Sequence, residues 1–189
     1  MRTLTLIALS AAALSFTAAP AEAAWKSYIS RTMGFSFEAP GEIKTESGVS
    51  RGVIAGPQET VIYKSTEDNI EYSVTVINFK QAAAESATIL GETHFMFQEG
   101  KRVLMDTFGR VEPGKDSVYG RKVTIERPNN GGRTTAAFYF TKGYLIQMEA
   151  SVLPANGDYG SPDPGRFIDS IAFVPTRAQE GSTELKLPE

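Results

Sequence analysis

Residues 133–152 read RTTAAFYFTKGYLIQMEASV, and this stretch decides the fold. Side chains of one face recur at every second position, which is the period of a β-strand. In the second half that face holds five apolar side chains: Tyr144, Ile146, Met148, Ala150 and Val152. Lys142-Gly143 separates the halves by two residues, the spacing of a tight hairpin turn. The stretch therefore predicts an antiparallel hairpin of strands 133–141 and 144–152.

Further strands precede this hairpin. Residues 119–127 form a strand candidate, and Pro128-Asn129-Asn130-Gly131-Gly132 is a strong turn signal before the hairpin. Short turns between consecutive strands indicate an antiparallel meander. Earlier candidates are a hairpin over 25–38, a weak strand near 49–54, and strands over 60–64 and 71–79. Residues 103–111 could extend a helix or start a strand; we favour the strand because Gly100 intervenes.

Two helices are expected. Residues 81–98 are rich in Ala and Glu, and one stripe at helical spacing holds Ala83, Ala87, Leu90, His94 and Phe97. A second helix is predicted over 163–171, with Ser161 as its N-cap and Pro162 in its first turn. A short strand over 172–174 closes the domain. The sequence predicts one α+β domain over residues 24–174.

The two ends have a different character. Arg2 precedes an uncharged apolar run over residues 4–19, and Ala21-Glu22-Ala23 offers small residues at the positions that a signal peptidase reads. We expect residues 1–23 to be a cleaved signal peptide and the protein to be periplasmic, with secretion as the alternative. The chain has no Cys, which excludes a lipid-modified cysteine. The polar residues 175–189 are expected to be a disordered tail.

Charge is unevenly distributed along the chain. The formal net charge is −3, but residues 99–142 carry 9 basic and 5 acidic side chains between two acidic flanks. A nucleic-acid surface needs a denser basic field, so we expect no nucleic-acid partner. No segment after residue 23 is apolar over the length that a bilayer requires, so we expect no membrane insertion after cleavage.

Few residues suggest catalysis or metal binding. Without Cys, and with His94 as the one His, the chain cannot form a thiolate or multi-histidine metal site. There is no Gly-x-Ser-x-Gly motif, and His94 lies on the apolar stripe of the predicted helix, where packing explains it better than catalysis. Asn156, Asp158 and Asp163 could offer oxygen ligands to Ca²⁺, but turn formation and helix capping also explain them. We assign no catalytic residue, cofactor or metal site.

One possible docking surface involves the strand aromatics. Tyrosines lie in most predicted strands, where they can simply pack on the sheet. If one face of the sheet stays open, Tyr139 could instead be presented beside Arg121, Lys122 or Arg133 as a binding surface. The sequence leaves both interpretations open.

Five short motifs occur in the order of the predicted elements: Gly34–Gly41 (GFSFEAPG), Gly120–Val123 (GRKV), Phe138–Phe140 (FYF), Gly143–Gln147 (GYLIQ) and Arg166–Ile171 (RFIDSI). Together they resemble PsbP-like and DcrB-like exported domains. The resemblance spans most of residues 25–174. It implies an antiparallel sheet between helices, an α/β/α sandwich, in domains that are mostly accessory or binding proteins. It supplies no catalytic residue, and the absence of Cys departs from the relatives that are lipoproteins.

Three functions follow as hypotheses. The first is an exported, non-enzymatic accessory or binding domain that engages a protein partner in the cell envelope. The alternative is a protein that binds a small ligand or a divalent cation. The third is a hydrolase that uses a carboxylate with His94. Export and the sparse catalytic residues favour the first.

Overall fold

The structure is a computed structural model that describes residues 24–52, 56–111, 117–173 and 181–185. The expected signal peptide lies outside the described residues, as do parts of the weak strand near 49–54 and of the expected tail. Within the described ranges, a seven-stranded antiparallel sheet, a four-stranded mixed sheet and two α-helices account for most of the chain.

The main sheet has seven strands, all antiparallel to their neighbours. In chain order they are β3 (Lys44–Gly52), β4 (Gly56–Glu67), β5 (Ile70–Asn78), β6 (Arg102–Val111), β7 (Val118–Glu126), β8 (Arg133–Thr141) and β9 (Tyr144–Val152). Their spatial order is β3-β4-β5-β9-β8-β7-β6. The predicted meander is confirmed: Lys142 and Gly143 both have positive φ, +49° and +79°, as a two-residue turn between β8 and β9 requires. Residues 103–111 lie in β6, as we expected because Gly100 separates them from the helix.

The small sheet contains four strands: β1 (Trp25–Ser30), β2 (Phe35–Pro40), β10 (Ala172–Phe173) and β11 (Thr183–Glu184). Their spatial order is β10-β2-β1-β11. β1 and β2 form the predicted hairpin, and β10 pairs with β2 as the expected closing strand. β11 (Thr183–Glu184) lies in the expected disordered tail but pairs in parallel with β1. Leu185 beside it is buried, and Glu184 accepts a hydrogen bond from Arg31 at 2.6 Å. These contacts tie residues 183–185 to the domain.

The first helix differs from its predicted pattern. Residues Lys80–Glu85 form a 3₁₀ segment that is kinked at Ala82, and α1 spans Ser86–Gln98. Ala83 is exposed because it lies in the 3₁₀ segment, where the α-helical period does not apply, and Ala87 is exposed in the first turn of α1. Ile89, which was not in the stripe, is the residue of α1 that is fully buried. The second helix, α2, spans Asp163–Asp169, and Ser161 accepts a hydrogen bond from the Asp163 amide at 3.3 Å.

The seven-stranded sheet separates two packed regions. On one face, α1 packs through Leu90 and Phe97 on Val123, Ile125, Ala136 and Phe138. On the other face, α2 and the small sheet enclose the main core with Tyr28, Phe37 and Phe167. The antiparallel sheet with helices is therefore confirmed. The full α/β/α sandwich is not confirmed, because a second sheet accompanies the short α2 and because α1 covers only part of its face.

Candidate binding surfaces

Tyr139 does not line a docking surface. Its ring is 0% exposed in the main core, edge-on to Phe173 at 5.5 Å between ring centroids. The cross-strand pair Gly109 and Gly120 makes room for it: a Cβ at Gly109 would lie 3.0 Å from the Tyr139 hydroxyl, and one at Gly120 would lie 2.6 Å from its ring. Burial raises the pKa of Tyr139 to about 12. The expectation of an exposed Tyr139 is thus wrong, because two glycines open a space that only this ring fills.

The three cations proposed beside Tyr139 lie apart from one another. Arg121 and Lys122 are adjacent in β7 and therefore point to opposite faces of the sheet. Lys122 forms an ion pair with Asp169 of α2. Arg133 is at the far end of β8, where it lies over the Tyr159 ring at 5.1 Å. Among the four residues, only Arg121 belongs to the surface described next.

An arginine–aromatic patch lies on the α1 side of β6 and β7; it consists of Phe108, Arg110, Tyr119 and Arg121. Phe108 and Arg121 are cross-strand partners, as are Arg110 and Tyr119. Each pair forms a cation–π contact, at 4.4 Å for Arg121 over Phe108 and at 5.7 Å for Arg110 over Tyr119. Phe108 is nevertheless 82% exposed and Tyr119 63% exposed. Large aromatics and arginines that are concentrated in this way are typical of protein-binding surfaces.

Polar contacts anchor this patch to α1. Arg121 donates to Asp106 at 2.5 Å, and the same carboxylate is 3.0 Å from His94 and accepts from Gln98 at 2.9 Å. Burial alone would raise the pKa of Asp106, but the hydrogen bonds from Gln98, His94 and Arg121 outweigh it and lower the pKa. The His94 ring also lies edge-on to Phe138. His94 thus has a structural role in joining α1 to β6, which agrees with the packing interpretation.

The two edges of the main sheet differ in chemistry. At one edge, β3 reads KTESGVSRG, in which Val49 is the one large apolar side chain. At the other, β6 reads RVLMDTFGRV and exposes Val103, Leu104, Met105 and Phe108. Within the described residues, no strand pairs with the outer edge of β6. Proteins usually protect such edges with charge, proline or a covering segment, so the exposed apolar side chains of β6 make it a candidate edge for pairing with another chain.

A polar trough of about 580 Å³ lies on the α1 side of the main sheet, beyond the carboxyl end of α1. Its charged lining residues are Lys64, Glu71, Lys101, Arg127 and Glu149, and its side-chain hydroxyls include Ser73, Thr134 and Ser151. Thr134 and Ser151 are buried and hydrogen-bonded to each other at 2.7 Å. The trough exists because α1 ends at Gln98, before it reaches this part of the sheet.

Glu149 is the unusual residue of the trough. It lies on β9 next to Ser151 on the same face, and it accepts a hydrogen bond from Gln147 at 2.6 Å. It has no ion-pair partner among the described residues. Burial raises the pKa of Glu149, against the opposing effects of the Gln147 hydrogen bond and the positive charges of Lys101 and Arg127. The trough therefore holds a partly buried carboxyl group whose positive neighbours, Lys101 and Arg127, are not in ion-pair contact with it.

The residues considered for Ca²⁺ form a compact loop. Asn156 Oδ1 accepts from the Asp158 amide at 2.9 Å, and Asp158 Oδ1 accepts from the Gly160 amide at 2.9 Å. Both contacts are those of Asx-turns. The described ranges contain no grouping of three or more His, Asp or Glu side chains that could hold a metal ion. Among the helices described, none has the length and apolarity to cross a membrane.

These features define a mostly antiparallel α+β domain with an exposed arginine–aromatic edge and a polar trough. No protein-family model matches the sequence, and curated proteins give no significant match. Among solved structures, the chain is similar to the cyanobacterial PsbP (CyanoP) of Synechocystis sp. PCC 6803, determined in solution. The TM-score is 0.48 at 13% identity, and the match covers 86% of this chain and 98% of that one. This likeness agrees with the PsbP-like resemblance seen in the sequence and is one of fold alone.

Two features of the sites were missed from the sequence. Phe108 and Arg110 belong to the patch because the register of β6 against β7 places them opposite Arg121 and Tyr119. The alternation of Phe108 and Arg110 in one strand and of Tyr119 and Arg121 in the next was a usable signal. Glu149 gave a weaker one: it is a charged residue at the centre of the most apolar hairpin of the chain.

Proposed function

We propose that this protein is an exported, non-enzymatic accessory domain that binds an acidic protein segment in the cell envelope. The segment adds as an extended strand to the free edge of β6, beside the arginine–aromatic patch. The observation that carries this proposal is the exposed apolar edge of β6, with Phe108 82% exposed at its centre. Strand addition satisfies the unpaired backbone groups of such an edge, and alternate side chains then contact the pockets and charges beside it.

Charge supports an acidic partner. On the face of β6 and β7 that holds the patch, Arg110 and Arg121 lie with Asp106, which leaves a net charge of +1; Lys122 is on the opposite face, paired with Asp169. An acidic segment is attracted to this field, and a basic one is repelled. The partner segment that fits best alternates carboxylates with apolar side chains, because the carboxylates then lie on the face of Arg110 and Arg121 while the apolar residues lie on the opposite face, beside Met105.

Site-specific photo-crosslinking tests this proposal. A photoreactive residue replaces Phe108 in one variant and Val49, at the opposite edge, in a matched control; Val49 is also well exposed, at 64%. We expect the probe at position 108 to capture an acidic peptide of another envelope protein, with yield that falls as salt is raised. Equal capture at both positions, or capture only of a second copy of this chain, would contradict the proposal.

Export has its own measurement. Fractionation of cells that express the full chain is expected to place the protein in the periplasm, with a mature amino terminus at Ala24. A cytoplasmic protein with residues 1–23 intact would refute this part of the proposal and leave the docking surface to be judged by the crosslinks.

The polar trough favours a second function, small-ligand binding. Its volume is within the range of small-molecule sites, about 300–1,000 Å³. The charges of its lining decide which chemistry such a ligand has.

A further inference from the structure

The polar trough contains opposite charges that do not neutralise each other. Glu149 has no ion-pair partner among the described residues, although Lys101 and Arg127 both act on it electrostatically. The Lys101 ammonium instead donates to the Phe97 carbonyl at 2.5 Å and lies over the Phe97 ring at 4.7 Å. Arg127 is 3.6 Å from Glu71. Glu149 is partly buried and its carboxylate accepts a hydrogen bond from Gln147, so the floor can still bind a positively charged partner.

The floor around Glu149 has unused hydrogen-bonding capacity. Ser73 lies directly opposite Glu149 in the β5–β9 register, and Ser151 is its neighbour on the same face of β9. Thr134 and Ser151 share one hydrogen bond with each other. Since a hydroxyl can donate once and accept twice, each of these side chains can also bind a ligand atom. The floor therefore offers a carboxylate surrounded by hydroxyls, a suitable environment for an ammonium group.

The rim of the trough, unlike its floor, favours a negatively charged group. Lys64, Lys101 and Arg127 line it. Lys64 pairs with Glu46 and Arg127 lies 3.6 Å from Glu71, so among the described residues Lys101 is the rim cation without a carboxylate partner. A simple cation would be repelled on entry, and a simple anion would meet Glu149 on the floor. A ligand with an ammonium and a carboxylate a few ångströms apart satisfies both parts of the site.

We propose that the polar trough binds a small zwitterion, a free amino acid or a short peptide, with its ammonium on Glu149 and its carboxylate toward Lys101 and Arg127. Both contacts are charge-assisted hydrogen bonds, which are stronger than neutral ones. The trough of about 580 Å³ has room for a ligand of this size. This inference goes beyond the proposed partner binding and does not depend on it, since the arginine–aromatic patch involves none of these residues.

A thermal-shift titration tests the inference with L-alanyl-L-alanine and a panel of the free L-amino acids. The controls are N-acetyl-L-alanyl-L-alanine, which lacks the ammonium, and L-alanyl-L-alanine amide, which lacks the carboxylate. We expect at least one zwitterion to raise the Tm, by roughly 5–10 °C at a hundred times its Kd. Each blocked dipeptide should give little or none of that shift. No shift with any zwitterion up to 20 mM, or an equal shift with the blocked forms, would overturn the inference.

Matched variants locate the ligand. Glu149→Gln should lower the affinity for the active zwitterion at least tenfold by isothermal titration, and Lys101→Met should weaken it by a smaller factor. Glu85→Gln is the control, because Glu85 is exposed in the 3₁₀ segment and does not line the trough. Unchanged affinity in Glu149→Gln would refute the assignment. Crosslinking through position 108 should be the same in all three variants, so failure here is distinguishable from failure of the proposed partner binding.

Discussion

Gly120 lies opposite Gly109 where β7 meets β6, and its replacement by alanine tests the packing around Tyr139 directly. A Cβ on Gly120 would lie 2.0 Å from the Phe138 carbonyl oxygen and 2.6 Å from the Tyr139 ring. Non-bonded contacts to a real Cβ are essentially never shorter than 3.0 Å, so the added methyl must displace the β8 backbone by about 1 Å. The backbone there is held by ladders on both sides and cannot move cheaply.

Overpacking of this severity costs about 3 kcal/mol of unfolding free energy. For a domain of this size that lowers the Tm by roughly 6–12 °C. Urea denaturation followed by circular dichroism gives the free energy, and a thermal scan gives the Tm. Gly48→Ala is the matched control: Gly48 also lies in a strand of the main sheet, but nothing lies within 4 Å of its Cβ position. We expect its stability to change by less than about 0.5 kcal/mol.

A second glycine sharpens the test. At Gly109 the added Cβ would be 3.0 Å from the Tyr139 hydroxyl oxygen, so its cost should depend on that hydroxyl. We expect Gly109→Ala to be less destabilising in a Tyr139→Phe background than in the wild type, by about 1 kcal/mol in a double-mutant cycle. If Gly120→Ala unfolds at the same urea concentration as the wild type, the explanation of both glycines by close packing is wrong.

Three further predictions concern polar groups. Tyr139→Phe should keep or raise stability, by up to about 1 kcal/mol in urea denaturation, because the buried hydroxyl has no hydrogen-bond partner in the described structure; a loss above 1 kcal/mol would show that it has one. The pKa of Glu149 is raised on folding, so the contribution of Glu149 to stability should fall as the pH rises above its unfolded pKa of about 4.3. Glu149→Gln should remove this fall when the Tm is measured between about pH 4 and 8. A pH profile of the Tm that is unchanged in the variant would contradict this prediction. The pKa of Asp106 is lowered, so its stabilising effect should be present above about pH 4 and be lost as the pH falls below that value. Asp106→Asn should lower the free energy of unfolding by about 1 kcal/mol at pH 7 and by little at pH 2.5. Equal losses at both pH values would refute the ion-pair explanation.

Local patterns predicted the strands well where the side chains along a strand alternate between the two faces of the sheet with a clear period of two. The hairpin of β8 and β9 is an example, because its turn residues and its alternation agree. Prediction was poorer for β3, which begins at Lys44 rather than near Val49, since its polar residues carry no hydrophobic period at this sheet edge. The start of the first helix was also misjudged, because residues 80–85 form a 3₁₀ segment, where Phe79 and Ala82 pack with the Ile89 cluster.

The candidate sites were harder to predict because they depend on register between strands that are distant in the sequence. Arg121 was identified as a binding residue, but the residue chosen to accompany it, Tyr139, is on the opposite face of the sheet. Which tyrosine is buried depends on the Gly109–Gly120 pair, and that pairing is a property of the folded sheet. The trough depends on where α1 stops relative to β9, which local sequence does not encode.

The pairing of β5 with β9 has a consequence for how the chain folds. These central strands are joined in register from Ile70–Val152 to Asn78–Tyr144, so the segment between them is a loop of more than 60 residues. Closing such a loop costs conformational entropy before any contact rewards it, which makes high-contact-order sheets slow to fold. Before β9 pairs with it, β5 has an open edge, with Val74 and Val76 in the unpaired strand. The seven-stranded sheet is therefore complete only when the last strand of the meander has paired with the first half of the chain.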